Sequence, residues 1–188
     1  VWHLPFPNEL HGVSADEALA ALDRLFKADI DPARVAAIIV EPVQGEGGFY
    51  EVPAGFMQRL RATCDQHGML LIADEVQTGL GRTGTPWYFS QEGIEPDILT
   101  TGKGLSGGIF PITATLMTAE IHAFFVDHPF VHISTYGGAE VGCVAALTTL
   151  DIIERPGFLE RVGEVGARVE EAFVGLPYEV RWRGMCMG

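Results

Sequence analysis

Basic residues are scarce in this sequence. It has 12 Lys plus Arg against 25 Asp plus Glu, a formal net charge of −13. A general binder of phosphate backbones needs a basic stripe, so no nucleic-acid partner is expected. A local basic pocket for one small anion remains compatible with this balance. Cysteine is scarcer still. Cys64, Cys143 and Cys186 lie far apart with no CxxC, which excludes a zinc ribbon. Three unclustered thiols suit a reducing, cytoplasmic setting and read as small buried hydrophobes. The six histidines form neither HExxH nor HxH, so no metal site is expected. No apolar run approaches the ~20 residues of a membrane span. The opening Val1-Trp2-His3-Leu4-Pro5 lacks the charged and apolar regions of a signal peptide. Core-forming residues are plentiful: 47% of the chain is apolar and only 20% charged. That composition folds, as one domain or as one plus part of another.

The hydrophobic pattern alternates between two periods. Ser14-Ala15-Asp16-Glu17 forms a capping box, and Leu19, Leu22, Leu25 and Phe26 follow at helical spacing. Val35 to Val40 is a short, β-branched apolar run, read as a strand buried on both faces. Pro53 to His67 reads as a helix with Phe56, Leu60 and Cys64 on one stripe and Gly68 as its stop. Met69–Ala73, Asp97–Thr101 and Ile112–Met117 read as further strands. Val141, Val144, Ala145, Leu147, Leu150 and Ile152 predict a long, mostly buried helix. A second helix runs from Phe158 to Phe173, striped by Leu159, Val162, Val165 and Val169, and a strand starts between Tyr178 and Trp182. Alternating strands and helices imply an α/β layer fold with a largely parallel sheet. The break at Glu154-Arg155-Pro156-Gly157 is the expected domain boundary.

Three polar residues follow apolar strands. Glu41 follows Val35–Val40, Asp74 follows Met69–Ala73, and Lys103 lies one glycine beyond Ile98–Thr101. In open α/β sheets, ligands bind outside the carboxyl ends of the strands. Singly, each residue has a bland reading as a turn, cap or solvated group; jointly they suggest a site. Lys103 is flanked by Gly102 and Gly104, which permit tight turning and close ligand approach. A lysine held in a dry glycine-lined pocket can act as an amine nucleophile. The segment is no P-loop, because Asp97 stands where the first glycine belongs and Gly104 replaces Ser or Thr. Gly79-Leu80-Gly81-Arg82-Thr83-Gly84 matches GxGxxG but does not follow its strand directly, and Pro86-Trp87-Tyr88-Phe89 follows it. It reads as a glycine-rich loop beside the site, not as a dinucleotide fingerprint.

Ile72-Ala73-Asp74-Glu75-Val76-Gln77-Thr78-Gly79, Gly81-Arg82-Thr83-Gly84, Asp97-Ile98-Leu99 and Gly102-Lys103 together resemble the signature of class III aminotransferases. These are fold-type-I enzymes dependent on pyridoxal 5′-phosphate (PLP). Glu41-Pro42-Val43-Gln44-Gly45-Glu46-Gly47-Gly48 and Ser134-Thr135-Tyr136-Gly137-Gly138 also resemble family segments. The likeness runs from about Leu19 to Phe158. It implies a three-layer fold with a mostly parallel sheet flanked by helices. Residues 1–154 would be a partial PLP-binding large domain, and 155–188 the start of a C-terminal small domain.

By the resemblance, Lys103 is the lysine that holds PLP as a Schiff base and shuttles the substrate proton. Asp74 pairs with the pyridinium nitrogen. A carboxylate at ~3 Å gives about 5 kcal/mol of gross Coulomb attraction at an effective dielectric near 20, which keeps that nitrogen protonated. Gln77 binds the cofactor's phenolic oxygen and Val76 packs on one ring face. Thr135 binds the phosphate of a neighbouring subunit's cofactor, which implies a homodimer with shared sites. Glu46 resembles a gate that pairs with an arginine of the C-terminal domain, and Glu41 an active-site acid. Arg82 is expected to be a loop salt-bridge residue. The phosphate loop, the ring-stacking aromatic and the gate arginine are not matched here, so a fragment inactive by itself is expected. The implied activity is transamination between an amine or ω-amino acid and a 2-oxo acid such as 2-oxoglutarate or pyruvate. Ornithine-, acetylornithine- and 4-aminobutyrate-type enzymes resemble the chain closely. The alternatives are an aminomutase of the same fold, or a non-catalytic binding or assembly protein.

Overall fold

The computed structural model describes residues 1–177 and 179–188. Helix α1 spans Ala15–Ala28. Ser14 Oγ accepts the Glu17 N–H at 3.2 Å, and Glu17 Oε2 accepts the Ser14 N–H at 2.8 Å, completing the expected capping box. Strand β1 (Ala37–Val40) leads to helix α2 (Phe56–His67) and strand β2 (Leu70–Asp74). The helix starts later than Pro53 because Gly55, its N-cap, is left-handed at φ 81°. Gly68 ends it at φ 69°, donating its N–H to the Cys64 carbonyl. Strands β3 (Ile98–Thr101) and β4 (Ala114–Met117) complete a sheet of order β1-β2-β3-β4. The first three strands are parallel and β4 is antiparallel to β3. This mostly parallel sheet flanked by helices is the α/β arrangement expected.

Strand alternation divides the sheet into two faces. Leu71 and Ala73 are fully buried, while Leu70, Ile72 and Asp74 on the opposite face are half-buried. Ala18 and Leu22 of α1 and Phe56, Leu60 and Cys64 of α2 join Leu71 in one core, with Ile38 and Val40 packed against it. Each such aliphatic or aromatic side chain contributes roughly 1.5–3 kcal/mol. Ile39, between Ile38 and Val40, points the other way and is 62% exposed. The expectation of a first strand buried on both faces is therefore wrong, since α1 and α2 both pack on the Ile38 side.

An ion pair pins α2 to the start of β3. Asp97 Oδ2 accepts from Arg61 at 2.6 Å and from the Leu71 N–H at 2.7 Å, and Arg61 also reaches Asp65 at 2.7 Å. Partial burial alone would raise the Asp97 carboxyl, but the Arg61 and Leu71 donors outweigh it and hold the carboxyl below the usual range.

Beyond β4 the chain is less enclosed. Helix α3 (Ala119–Asp127), unmarked by any strong period, is capped by Thr118, whose Oγ1 accepts the Ile121 N–H. Helix α4 (Glu140–Ile153) is present, but its expected burial is not. Only Gly142 and Ile153 are buried, and Val141, Val144 and Leu147 are 61–63% exposed. The helix rests on Phe110 and Ile112 through Gly142, where a Cβ would come within 2.9 Å of Phe110. Helix α5 (Phe158–Phe173) half-buries the expected Leu159, Val162, Val165 and Val169. A short antiparallel hairpin follows, β5 (Trp182–Arg183) with β6 (Cys186–Met187), extended by paired backbone bonds between Arg181 and Gly188 at 2.9 Å. Of the strand start expected from Tyr178 to Trp182, Tyr178 lies outside the described residues and strand β5 itself begins at Trp182.

Candidate active site

Parallel pairing brings the carboxyl ends of β1, β2 and β3 to one edge of the sheet, and the polar residues follow there. Asp74 closes β2 opposite Thr100 of β3. Its Oδ1 accepts the Val76 N–H at 3.2 Å, fixing the turn that leaves the strand. Gln77, one residue beyond Val76, reaches across to the β3 exit. There its Oε1 accepts a hydrogen bond from Lys103 Nζ at 2.6 Å. From the β1 exit, Glu41 Oε2 accepts the Gly45 N–H at 3.0 Å. Gly45 lies so close to Gln77 that a Cβ there would be 3.1 Å from its Cγ. The turns after β1, β2 and β3 thus meet at the Gln77 amide.

Lys103 has φ 46°, a left-handed backbone rare outside glycine. Such a conformation costs of order 1–3 kcal/mol and gathers at functional sites. Gly102 beside it has no room for a side chain, because a Cβ would approach Thr113 Cγ2 to 2.9 Å. Lys103 is exposed in this chain. A cleft of about 340 Å³ lies behind its loop, lined by Leu80, Arg82, Gly104, Gly107, Thr149 and Ile153 among others. Arg82 forms no salt bridge among the described residues, contrary to expectation. Its guanidinium instead lies against Gly104, and its Nε is buried without a partner.

The other anticipated residues are spread more widely. Val76 is half-buried beside Asp74, and Glu46 is exposed on the 45–48 turn. Thr135 is exposed in a separate turn, with no described bond to Gln77 or Lys103. The GxGxxG segment is a packed loop, as expected. A Cβ on Gly79 would meet Trp87 at 2.6 Å, and one on Gly81 would meet Leu159 at 2.9 Å.

Sequence reasoning missed Glu75, which is fully buried. Its carboxylate accepts from the Tyr88 N–H at 2.7 Å, the Phe89 N–H at 2.9 Å and the Thr78 hydroxyl at 3.0 Å. Burial raises its carboxyl, and these three donors act against that rise. Glu75 thereby ties the Asp74–Gln77 turn to the following aromatic segment. Strand parity was the available signal: Leu71, Ala73 and Glu75 fall on one face.

The described residues include no group of three or more His, Cys, Asp or Glu that could hold a metal, and no helix long and apolar enough to cross a membrane. The Cys64 thiol is pushed up to about 11 by burial, which makes it a poor nucleophile. The reactive set at the strand ends is an amine, a carboxylate and an amide. Next to Asp74, the Thr100 hydroxyl is buried without a partner.

The family model described as aminotransferase class-III matches residues 1–184. The chain belongs to the class III aminotransferase family. It is 52% identical over 164 residues to the 5-aminovalerate aminotransferase DavT of Pseudomonas aeruginosa, covering 87% of this chain and 38% of that protein. Over 176 residues it is 43% identical to the 4-aminobutyrate aminotransferase GabT of Escherichia coli, covering 94% and 41%. The taurine:2-oxoglutarate aminotransferase of Bifidobacterium kashiwanohense, solved with PLP and glutamate, superposes with a TM-score of 0.88 at 28% identity, covering 97% and 44%. The chain thus spans about two fifths of the length of the curated relatives it matches.

Proposed function

We propose that the intact protein is a PLP-dependent aminotransferase, moving an amino group from an amine or ω-amino acid to a 2-oxo acid. The observation that carries this reading is the Lys103 amine, 2.6 Å from Gln77 Oε1 at the strand edge that Asp74 closes. The donor set fits PLP: an amine for its aldehyde, a carboxylate for its ring nitrogen, an amide for its phenolic oxygen. The unpartnered Thr100 hydroxyl beside them leaves a polar atom for a bound polar molecule. When bound, the cofactor supplies an electron-withdrawing ring that stabilises negative charge at the substrate carbon.

This chain's residues do the rest. Lys103 anchors the cofactor and moves the proton at the substrate carbon. Asp74 holds a proton on the ring nitrogen. Gln77 orients both the amine and the phenolic oxygen, and Val76 packs on one ring face. Exposed Glu46 gates an arginine beyond those described, and Glu41 belongs to the same loop. Thr135 serves the phosphate of a second subunit's cofactor, which makes the working unit a homodimer. Residues 1–154 belong to the large cofactor domain and 155–188 open the small one, a division supported by the Pro156-Gly157 break between α4 and α5. The names of DavT and GabT favour ω-amino acids as donors, and the taurine enzyme favours 2-oxoglutarate as acceptor. Three free cysteines suit the cytoplasm.

The test is covalent labelling of the intact protein. PLP is expected to give a visible absorbance band that borohydride abolishes, leaving the label on Lys103. A label absent, or on another residue, refutes the reading. Asp74→Asn is expected to keep the fold and lose most turnover. Unchanged turnover would remove Asp74 from its role, and an intact protein with no turnover at all would favour a non-catalytic protein.

A further inference from the structure

We propose that Glu41 is a positioning residue, acting on the Lys103 amine through Gly45 and Gln77. The inference rests on the reading of Lys103 as the reactive amine and adds a residue that sets its place. Glu41 spends Oε2 on the Gly45 N–H at 3.0 Å, closing the turn after β1 from within. The turn is held elsewhere too. Pro42 and Val43 are buried, Val43 bridges to Glu51, and the Gln44 N–H donates to the Tyr50 carbonyl at 2.9 Å. A turn fixed at both ends presents Gly45 as a rigid, flat seat. Gln77 lies on it: a Cβ at Gly45 would stand 3.1 Å from Gln77 Cγ and 3.2 Å from its Cδ. Gly45 does not have a left-handed backbone, so crowding of Gln77, not strain, is what an alanine would introduce. Gln77 in turn accepts from Lys103 at 2.6 Å. Lys103 Nζ, exposed at its loop, has no other described protein partner, so the amide fixes its position.

The contrasting reading makes Glu41 an acid that touches the reacting molecule. The two differ in what a neutral isostere does. Gln at position 41 keeps a carbonyl acceptor for the Gly45 N–H, while Leu does not. The experiment follows the Cε–Hε signal of Lys103 in the intact, cofactor-free protein with 13C-labelled lysine, the signal being assigned by its loss in Lys103→Arg. Glu41→Leu and Gly45→Ala are expected to shift it in the same direction, and Glu41→Gln to leave it at the wild-type position. In a Gln77→Ala background, Glu41→Leu is expected to shift it no further. With cofactor and substrates, Glu41→Leu is expected to lower kcat, by up to about 100-fold for a displacement near 1 Å, with KM for the amine unchanged and Glu41→Gln close to wild type.

An unmoved signal in both Glu41→Leu and Gly45→Ala overturns the proposal, as does an equal shift by Glu41→Leu with and without Gln77. Gly45→Ala leaves Glu41 in place and decides the matter if Glu41→Leu does not fold. A borohydride-fixed label on Lys103 with an unmoved signal sinks this inference alone. Coupled shifts without any label sink the functional reading alone.

Discussion

The chain before Lys103 and the chain after it are built differently. Before it, several polar groups are paired within the chain: Glu75 by three donors, Asp97 by Arg61 and a backbone N–H, Ser14 by Glu17. Apolar side chains there close on one core. After it, Phe130, Val131, Ile133, Tyr136, Val141, Val144 and Leu147 are all more than 60% exposed. The contrast separates what this chain stabilises by itself from what it presents. The reactive groups lie at the junction, anchored on the closed side and open on the other.

Substitutions on the closed side should be costly in a graded order. Glu75→Leu leaves the Tyr88 and Phe89 N–H groups and the Thr78 hydroxyl without their acceptor. At about 1–3 kcal/mol for each orphan, partly relieved by relaxation, the expected loss is about 4 kcal/mol in denaturant unfolding. A loss below 1 kcal/mol would mean that the closed side is not held by this carboxylate.

Asp97→Asn should cost about 2 kcal/mol, because one charged acceptor serves both Arg61 and Leu71. Its pH dependence is diagnostic. The folded carboxyl titrates below its unfolded value, so its contribution is fully present above about pH 4 and disappears as pH falls through the folded value. Unfolding curves of wild type and Asp97→Asn should therefore converge on acidification. Parallel curves down to acid pH would contradict the ion pair. Ser14→Ala should cost about 1 kcal/mol through the lost N-cap.

The smallest effect belongs to the open side. Leu147→Ser is expected to change unfolding by less than about 0.5 kcal/mol, since little apolar area leaves the core. In the homodimer proposed above, the same change should weaken self-association, measured by sedimentation. A large stability loss without altered association would erase the distinction between the two sides.

Local chemistry explains which parts of this were legible in sequence. The capping box, the Gly68 stop and the Phe56-Leu60-Cys64 stripe depend on neighbours within one turn of chain, and they stand as read. The burial of Ile39 and of α4 was misjudged, because an apolar pattern reports what a face requires and not what this chain lays over it. Lys103, Asp74 and Gln77 were visible as residues in a motif. The seat at Gly45 was not, since a contact between a glycine and a glutamine from different loops leaves no periodic trace. Glu75 was hidden by its company: beside Asp74 it reads as another site acid, and only alternation along β2 turns it inward.

The β5–β6 hairpin folds back over the same loops. Arg181 Nε donates to the Gly48 carbonyl at 2.7 Å, with its guanidinium 4.4 Å above the Tyr50 ring. Arg183 pairs with Glu51 at 3.2 Å, and the Met185 N–H donates to the Arg82 carbonyl at 2.8 Å. The hairpin therefore clasps two loops at once, the one carrying Glu46 and the one carrying Arg82. Whatever moves this hairpin is felt at the rim of the lysine's surroundings, and replacing Arg181 and Arg183 together would loosen its hold without touching a single reactive group.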